Sequence, residues 1–127
     1  MIHDEGPFNR TRRTLEDFLE FVHAATRLVA RGRASYDGDE MLRLAAEALL
    51  HRLGEVVARL DRDDPDLVAS HPEVNWRAMK GMRNLIAHNY GAIDDEIVWT
   101  TLERDVPREA AHIQRILDVE ATAEHSP

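Results

Sequence analysis

Residues 41–65 read MLRLAAEALLHRLGEVVARLDRDDP, and this stretch decides the fold. Leu42, Ala45, Ala46, Leu49, Leu53, Val56, Val57 and Leu60 recur every three or four residues. That spacing makes one apolar stripe along about five turns of helix, stopping before Asp63-Asp64-Pro65. A helix with one apolar stripe must bury it against neighbours, so the rest of the chain has to supply them.

It does so with more helices. Upstream, Leu15, Phe18, Leu19, Val22, Ala25 and Val29 form a second stripe, with Thr14 as the expected cap, Asp17 three residues on, and Gly32 as the stop. Asp37-Gly38 predicts a loop over 35–39, followed by an acidic helix start. Downstream, residues 65–75 predict a loop with at most one short turn at 66–70. Asn75 then caps a helix from Trp76 to about Tyr90, closed by Gly91. Asp94 and Asp95 open a further segment with Ile97, Val98, Thr101, Leu102 and Val106 inward. Pro107 is expected to interrupt it before a last helix from Arg108 to about Val119, with a frayed tail over 120–127. No strand-like alternation of useful length occurs. The expectation is an all-α, antiparallel four- to five-helix bundle forming one domain over 1–127, its core about 10–119.

Composition narrows the function classes. The chain has 127 residues, ordinary for one domain, and 43% hydrophobic residues, enough for a core but too few for life in lipid. With no cysteine there are no disulfides and no thiolate metal sites. The polar start, residues 1–13, lacks a secretion signal, which points to a cytoplasmic protein without membrane contact. The net charge of −8 argues against indiscriminate nucleic-acid binding. Its distribution says more: residues 74–93 contain no acid but hold Arg77, Lys80 and Arg83, so a +3 window sits on a body of −11. Such a patch suits a localised anionic ligand, although for three charges alone a helix face that merely happens to be basic is the more frequent case.

On a helical wheel for 76–90, Ala78, Met79, Met82, Leu85 and Ile86 face the bundle. Arg77, Lys80, Arg83, Asn84, Ala87, His88 and Tyr90 fall on the other side. Asn84 and His88 are four apart, so the amide can orient the imidazole. Arg83 and His88 differ by ~140° on an ideal helix, so they flank a ligand rather than stack. Small Ala87 between them leaves room for a substrate or for the same helix of a second copy. The set suits phosphoryl transfer without metal. A neutral imidazole takes the ribose 2′-hydroxyl proton, and a guanidinium offsets charge on the phosphorane-like transition state. Tyr90 positions a phosphate or ribose, Arg77 and Lys80 bind substrate, and the product is a 2′,3′-cyclic phosphate. The bland alternative is an exposed His, an Arg in a salt bridge and a Tyr with a wet hydroxyl. His51 and Glu55, four apart, read as an ordinary surface pair rather than metal ligands. Trp76 and Trp99 read as core or interface anchors. Glu47 and Arg52 are either solvated or support the cleft, and the sequence favours neither.

The stretch WRAMKGMRNLIAHNY, residues 76–90, resembles the HepT family of the HEPN superfamily. The superfamily signature is Arg, four residues, then His, extended in HepT-like members to Arg-x-x-x-x-His-x-Tyr, here Arg83, His88 and Tyr90. Glu96-Ile97-Val98-Trp99, Asp105-Val106-Pro107 and Leu53-Gly54-Glu55 are similar to the family pattern as well. The likeness covers roughly residues 10–118. It implies a HEPN-like bundle and a homodimer whose motif helices face each other across a composite cleft. It implies a metal-independent endoribonuclease toxin without cofactor, with Arg83 and His88 as the catalytic pair. It further implies pairing with an MntA-type minimal nucleotidyltransferase antitoxin that transfers AMP from ATP onto Tyr90. The alternative is a non-catalytic HEPN module that binds nucleotides or docks a nucleotidyltransferase. A third reading keeps Arg83, His88 and Tyr90 as hydrogen bonders of a dimer interface.

Overall fold

The computed structural model describes the backbone of residues 7–87 and 94–124 and the side chains of 10–83 and 94–120. It is all-helical over the described residues, with helices α1 (Pro7–Ala30), α2 (Arg33–Gly38), α3 (Glu40–Asp63), α4 (Pro65–Ser70), α5 (Trp76–Ala87), α6 (Asp95–Thr100) and α7 (Val106–Glu124). A wide π-type turn, Thr101–Asp105, joins α6 to α7.

Helix α3 is the centre, packed between α1 and α5, while α7 lies against α1. The polar ties give the directions. Thr11 near the start of α1 reaches Asp64 after the end of α3, and Asp17 meets Arg59. Lys80 pairs with Asp61, and Arg83, one turn later on α5, pairs with Glu55. Along each pair the numbers run in opposite senses, so both neighbours are antiparallel to α3. One buried cluster joins Phe18, Val22, Leu50, Leu53, Val57, Met79, Leu102 and Ile113. Each large apolar side chain buried in it contributes about 1.5–3 kcal/mol, which outweighs the helix ties at the surface.

The central stripe holds, with Ala46, Leu53, Val56, Val57 and Leu60 buried, but Ala45 is exposed and Leu50 is fully buried. Helix α1 starts seven residues before the expected Thr14 cap. Thr14 is interior and buried, and its hydroxyl donates to the Arg10 carbonyl, which satisfies it without a helix end. Gly32 does stop α1, at φ +90°. The loop expected over 35–39 is instead helix α2, which drives Tyr36 completely into the core. Asp39, Asp64 and Asp94 cap α3, α4 and α6 through their side chains, and Asn75 accepts from the Ala78 N–H as expected.

Pro107 does not interrupt the last segment. Proline removes one N–H and would crowd the carbonyl four residues back, and widening the preceding turn removes the clash. The Val106 N–H accordingly donates to the Thr101 carbonyl, five residues back. Ile97, expected inward, is 47% exposed, and Trp99 takes the core position. Helix α7 continues through Glu124, past the expected end at Val119. Among the described residues, no helix is long and apolar enough to cross a membrane.

Candidate functional site

Helix α5 begins with a double restraint. The Asn75 side chain caps it, and the buried Glu109 carboxylate of α7 accepts from the Asn75 N–H at 2.9 Å. Trp76 donates its indole N–H to the His71 carbonyl. Met79 and Met82 then bury towards the core as expected, whereas Ala78 is exposed.

Arg83 is held at both ends by adjacent residues of α3. Gly54 faces its backbone: a Cβ at position 54 would lie 2.5 Å from the Arg83 nitrogen and 2.8 Å from its Cβ. Any larger residue would push α5 away. At the other end, one terminal guanidinium nitrogen donates to Glu55 Oε1 at 3.2 Å. The salt-bridge role that an arginine on a polar helix face commonly has is therefore present. Arg83 stays 32% and Glu55 50% exposed, so the pair is worth only about 0.2–1 kcal/mol, and a phosphate can compete for the guanidinium.

Arg83 opens onto a groove of about 960 Å³ that runs over the outer face of α3 beside α1, floored by Phe21, Leu44, Ala48, His51, Arg52 and Glu55. The Arg52 guanidinium lies 5.8 Å from the centre of the Phe21 ring. Glu47, further along the same face, has its carboxyl pushed up from the ordinary range. Loss of hydration is the main cause and the nearby Asp95 charge adds to it, with Arg43 opposing. Glu47, Arg52 and Glu55 thus share the groove with Arg83, and Glu55 was overlooked as a site residue. A glycine and a carboxylate in mid-helix carry no local sign that another helix will arrive there.

The basic window predicted for α5 is largely neutralised within the chain. Lys80 pairs with Asp61 at 3.0 Å and Arg83 with Glu55, leaving Arg77 exposed. The patch is a row of cation–carboxylate pairs between α3 and α5 rather than a free positive surface, because α3 places an acid opposite each of the two cations. The side chains of Asn84, Leu85, Ile86 and Ala87, and all of His88, Tyr90 and Gly91, lie outside the described residues. His71 meets Glu73 at 3.1 Å. No cluster of three or more metal-binding side chains occurs among the described residues.

Comparison with known proteins matches the sequence to named relatives. The chain is 27% identical over 99 residues to a protein of Thermococcus cleftensis named as a probable ribonuclease HepT, covering 76% of this chain and 89% of that one. It is 30% identical over 89 residues to a protein of Methanocaldococcus jannaschii named as a candidate RNase, covering 69% of this chain and 71% of that one. A similarly named protein of Caldanaerobacter subterraneus is 28% identical over 82 residues, covering 65% of this chain and 70% of that one. No solved structure matches the chain. The family pattern described as ribonuclease HepT-like matches residues 13–116, so the chain belongs to the ribonuclease HepT-like family.

Proposed function

We propose that this protein is a metal-independent endoribonuclease of the HepT type, with Arg83 and His88 as its catalytic pair. The observation that carries the reading is Arg83 itself: within a chain of this family, α5 presents a partly exposed guanidinium at the edge of an open groove. In the proposed reaction His88 removes the 2′-hydroxyl proton, and the 2′-oxygen attacks the adjacent phosphorus. The 5′-oxygen leaves and takes up a proton, giving a 2′,3′-cyclic phosphate and a 5′-hydroxyl end. Arg83 donates to the non-bridging oxygens as charge builds on them. Asn84 holds the imidazole, while Arg77 and Lys80 bind flanking phosphates; Lys80 does so by exchanging its pairing with Asp61.

The proposed working form is a cytoplasmic homodimer of one domain per chain, the two α5 helices facing each other across the cleft. Its proposed antitoxin is an MntA-type minimal nucleotidyltransferase. Transfer of AMP from ATP to the Tyr90 phenol, with release of pyrophosphate, would bring negative charge beside Arg83 and block the phosphate site. The non-catalytic reading, a HEPN module that binds nucleotides or docks a nucleotidyltransferase, draws support from one observation: Lys80 and Arg83 are both already paired with carboxylates.

Cleavage of a labelled single-stranded RNA in EDTA separates the two. Wild type should cut and leave cyclic phosphate ends. His88→Ala should lose about 10²-fold or more and Arg83→Ala about 10²- to 10³-fold. Equal cleavage by all three proteins would sink the catalytic assignment. Binding without turnover by the wild type would select the non-catalytic module.

A further inference from the structure

We infer that Glu55 is a positioning residue for Arg83, acting through the guanidinium and never on the substrate. The inference rests on the ribonuclease reading for its consequence in catalysis, but its geometry stands apart from it.

An arginine has four side-chain torsions, and an unheld one samples many rotamers that aim its donors away from any given phosphate. Arg83 loses that freedom in two steps. Gly54 lets the α3 backbone reach the Arg83 backbone and Cβ, so the root of the side chain is fixed by steric contact. Glu55, the next residue, takes hold of the tip. The grip is monodentate, from one terminal nitrogen to one carboxylate oxygen at 3.2 Å. A bidentate grip would occupy a whole edge of the fork. Among the described residues nothing else takes the edge formed by Nε and the second terminal nitrogen, whose N–H bonds run parallel and match two oxygens of a phosphate. Glu55 is on the groove lining together with Arg83, so the oriented edge is presented where a strand can lie.

A carboxylate beside a phosphate site also repels the phosphate. Glu55 is half exposed, so water screens that repulsion, while the hydrogen bond it accepts is directional and short-ranged. Removing the side chain should therefore relieve repulsion and lose orientation together, moving binding and turnover in opposite senses. Loss of a merely structural contact would not divide the two constants in this way.

The experiment compares the wild-type chain, Glu55→Ala and Glu55→Gln on labelled single-stranded RNA, together with the cross-peak of the Arg83 terminal-nitrogen (Nη) protons in ¹⁵N spectra, assigned by its absence in Arg83→Lys. Glutamine keeps an acceptor oxygen but not the charge. Glu55→Ala should lower kcat by about 10- to 10²-fold with KM unchanged or lower, since small misplacements of a catalytic group cost that much. Glu55→Gln should recover kcat to within about threefold of wild type by keeping the geometry. The cross-peak should stand apart from solvent-exposed arginines in wild type and Glu55→Gln and join them in Glu55→Ala. An unchanged kcat in Glu55→Ala, a glutamine variant as impaired as the alanine one, or a cross-peak insensitive to Glu55→Ala overturns the assignment. A wild type that leaves RNA intact defeats the ribonuclease reading instead. The cross-peak then decides alone, its movement in Glu55→Ala upholding the pairing and its constancy overturning it.

Discussion

Arg83 and Arg33 are both arginines bound to carboxylates, and they are used in opposite ways. Arg33 spends its donors within the fold. Its Nε donates to Asp37 at 2.8 Å, a terminal nitrogen donates to Glu96 at 2.7 Å, and its guanidinium lies about 6 Å from the rings of both Tyr36 and Trp99. Those two rings are themselves 5.0 Å apart, and the Tyr36 hydroxyl donates to the Asp95 carbonyl. Glu96 is held below the usual carboxylate range by the Arg33 hydrogen bond and charge. Among the described residues, Arg83 uses one donor on Glu55 and turns towards a groove. The first corner ties α2 to α6 by several contacts that share the load. The second relies on one helix approaching another so closely that only a glycine fits. Redundant contacts tolerate loss, whereas a single close approach does not.

Three substitutions test that contrast. Gly54→Ala should have the largest effect. The added methyl cannot coexist with the Arg83 backbone, so α5 must shift, at a cost of about 2–3 kcal/mol despite alanine's better helix propensity. Urea unfolding measures this, and a variant as stable as wild type would show that α3 and α5 are not in backbone contact. Tyr36→Phe should cost about 1 kcal/mol, because only the hydrogen bond to Asp95 is lost while the ring and its Trp99 contact remain. A loss as large as that of Gly54→Ala would mean that this corner is not redundant after all.

The smallest effect concerns Glu47, which is coupled to Asp95 at the first corner and lines the groove of the second. Its carboxyl is raised in the folded state, so folding favours its protonated form. Its contribution to stability is fully present below the unfolded carboxylate range and is lost as pH rises through the higher folded value. Glu47→Gln, neutral at every pH, should therefore melt slightly above wild type at pH 7, and the gap should close as the pH is lowered into the acid range. A gap that widens in acid would reverse the assigned direction.

The bundle was readable because its signals are local. The stripe on α3, the Asn75 and Asp94 caps and the Gly32 stop each depend on residues within a turn or two. The misjudged places depend on distant partners. Thr14 reads as a helix cap, yet it lies buried inside α1, whose earlier start carries the buried Thr11 to Asp64, 53 residues away. Helix α2 is too short for periodicity to reveal, and it exists because Tyr36 finds Trp99, more than sixty residues away. The same holds for the site. Arg83 stood out by its place in the motif, but the charge of its window was misjudged, since Asp61 and Glu55 face it from another helix. Gly54 enters only through a family likeness, and Glu55 through that likeness and an expected surface pairing with His51, because neither carries a local sign of the helix that meets it.

The wide turn at Thr101–Asp105 has a consequence for how the chain can vary. Val98, Leu102, Val106 and Ala110 are all buried, spaced by four, so three turns take twelve residues where a regular α-helix would take about 10.8. The surplus is close to the one residue that a π-type turn absorbs. The turn thus acts as a phase corrector, allowing one helical rod to keep the same side inward above and below it. Deleting a single residue there would leave about eleven residues for those three turns, so the rod could straighten with Ile113 and Ile116 still inward and the Glu109 carboxylate still at the start of α5, whereas inserting one more would rotate everything after it by ~100°.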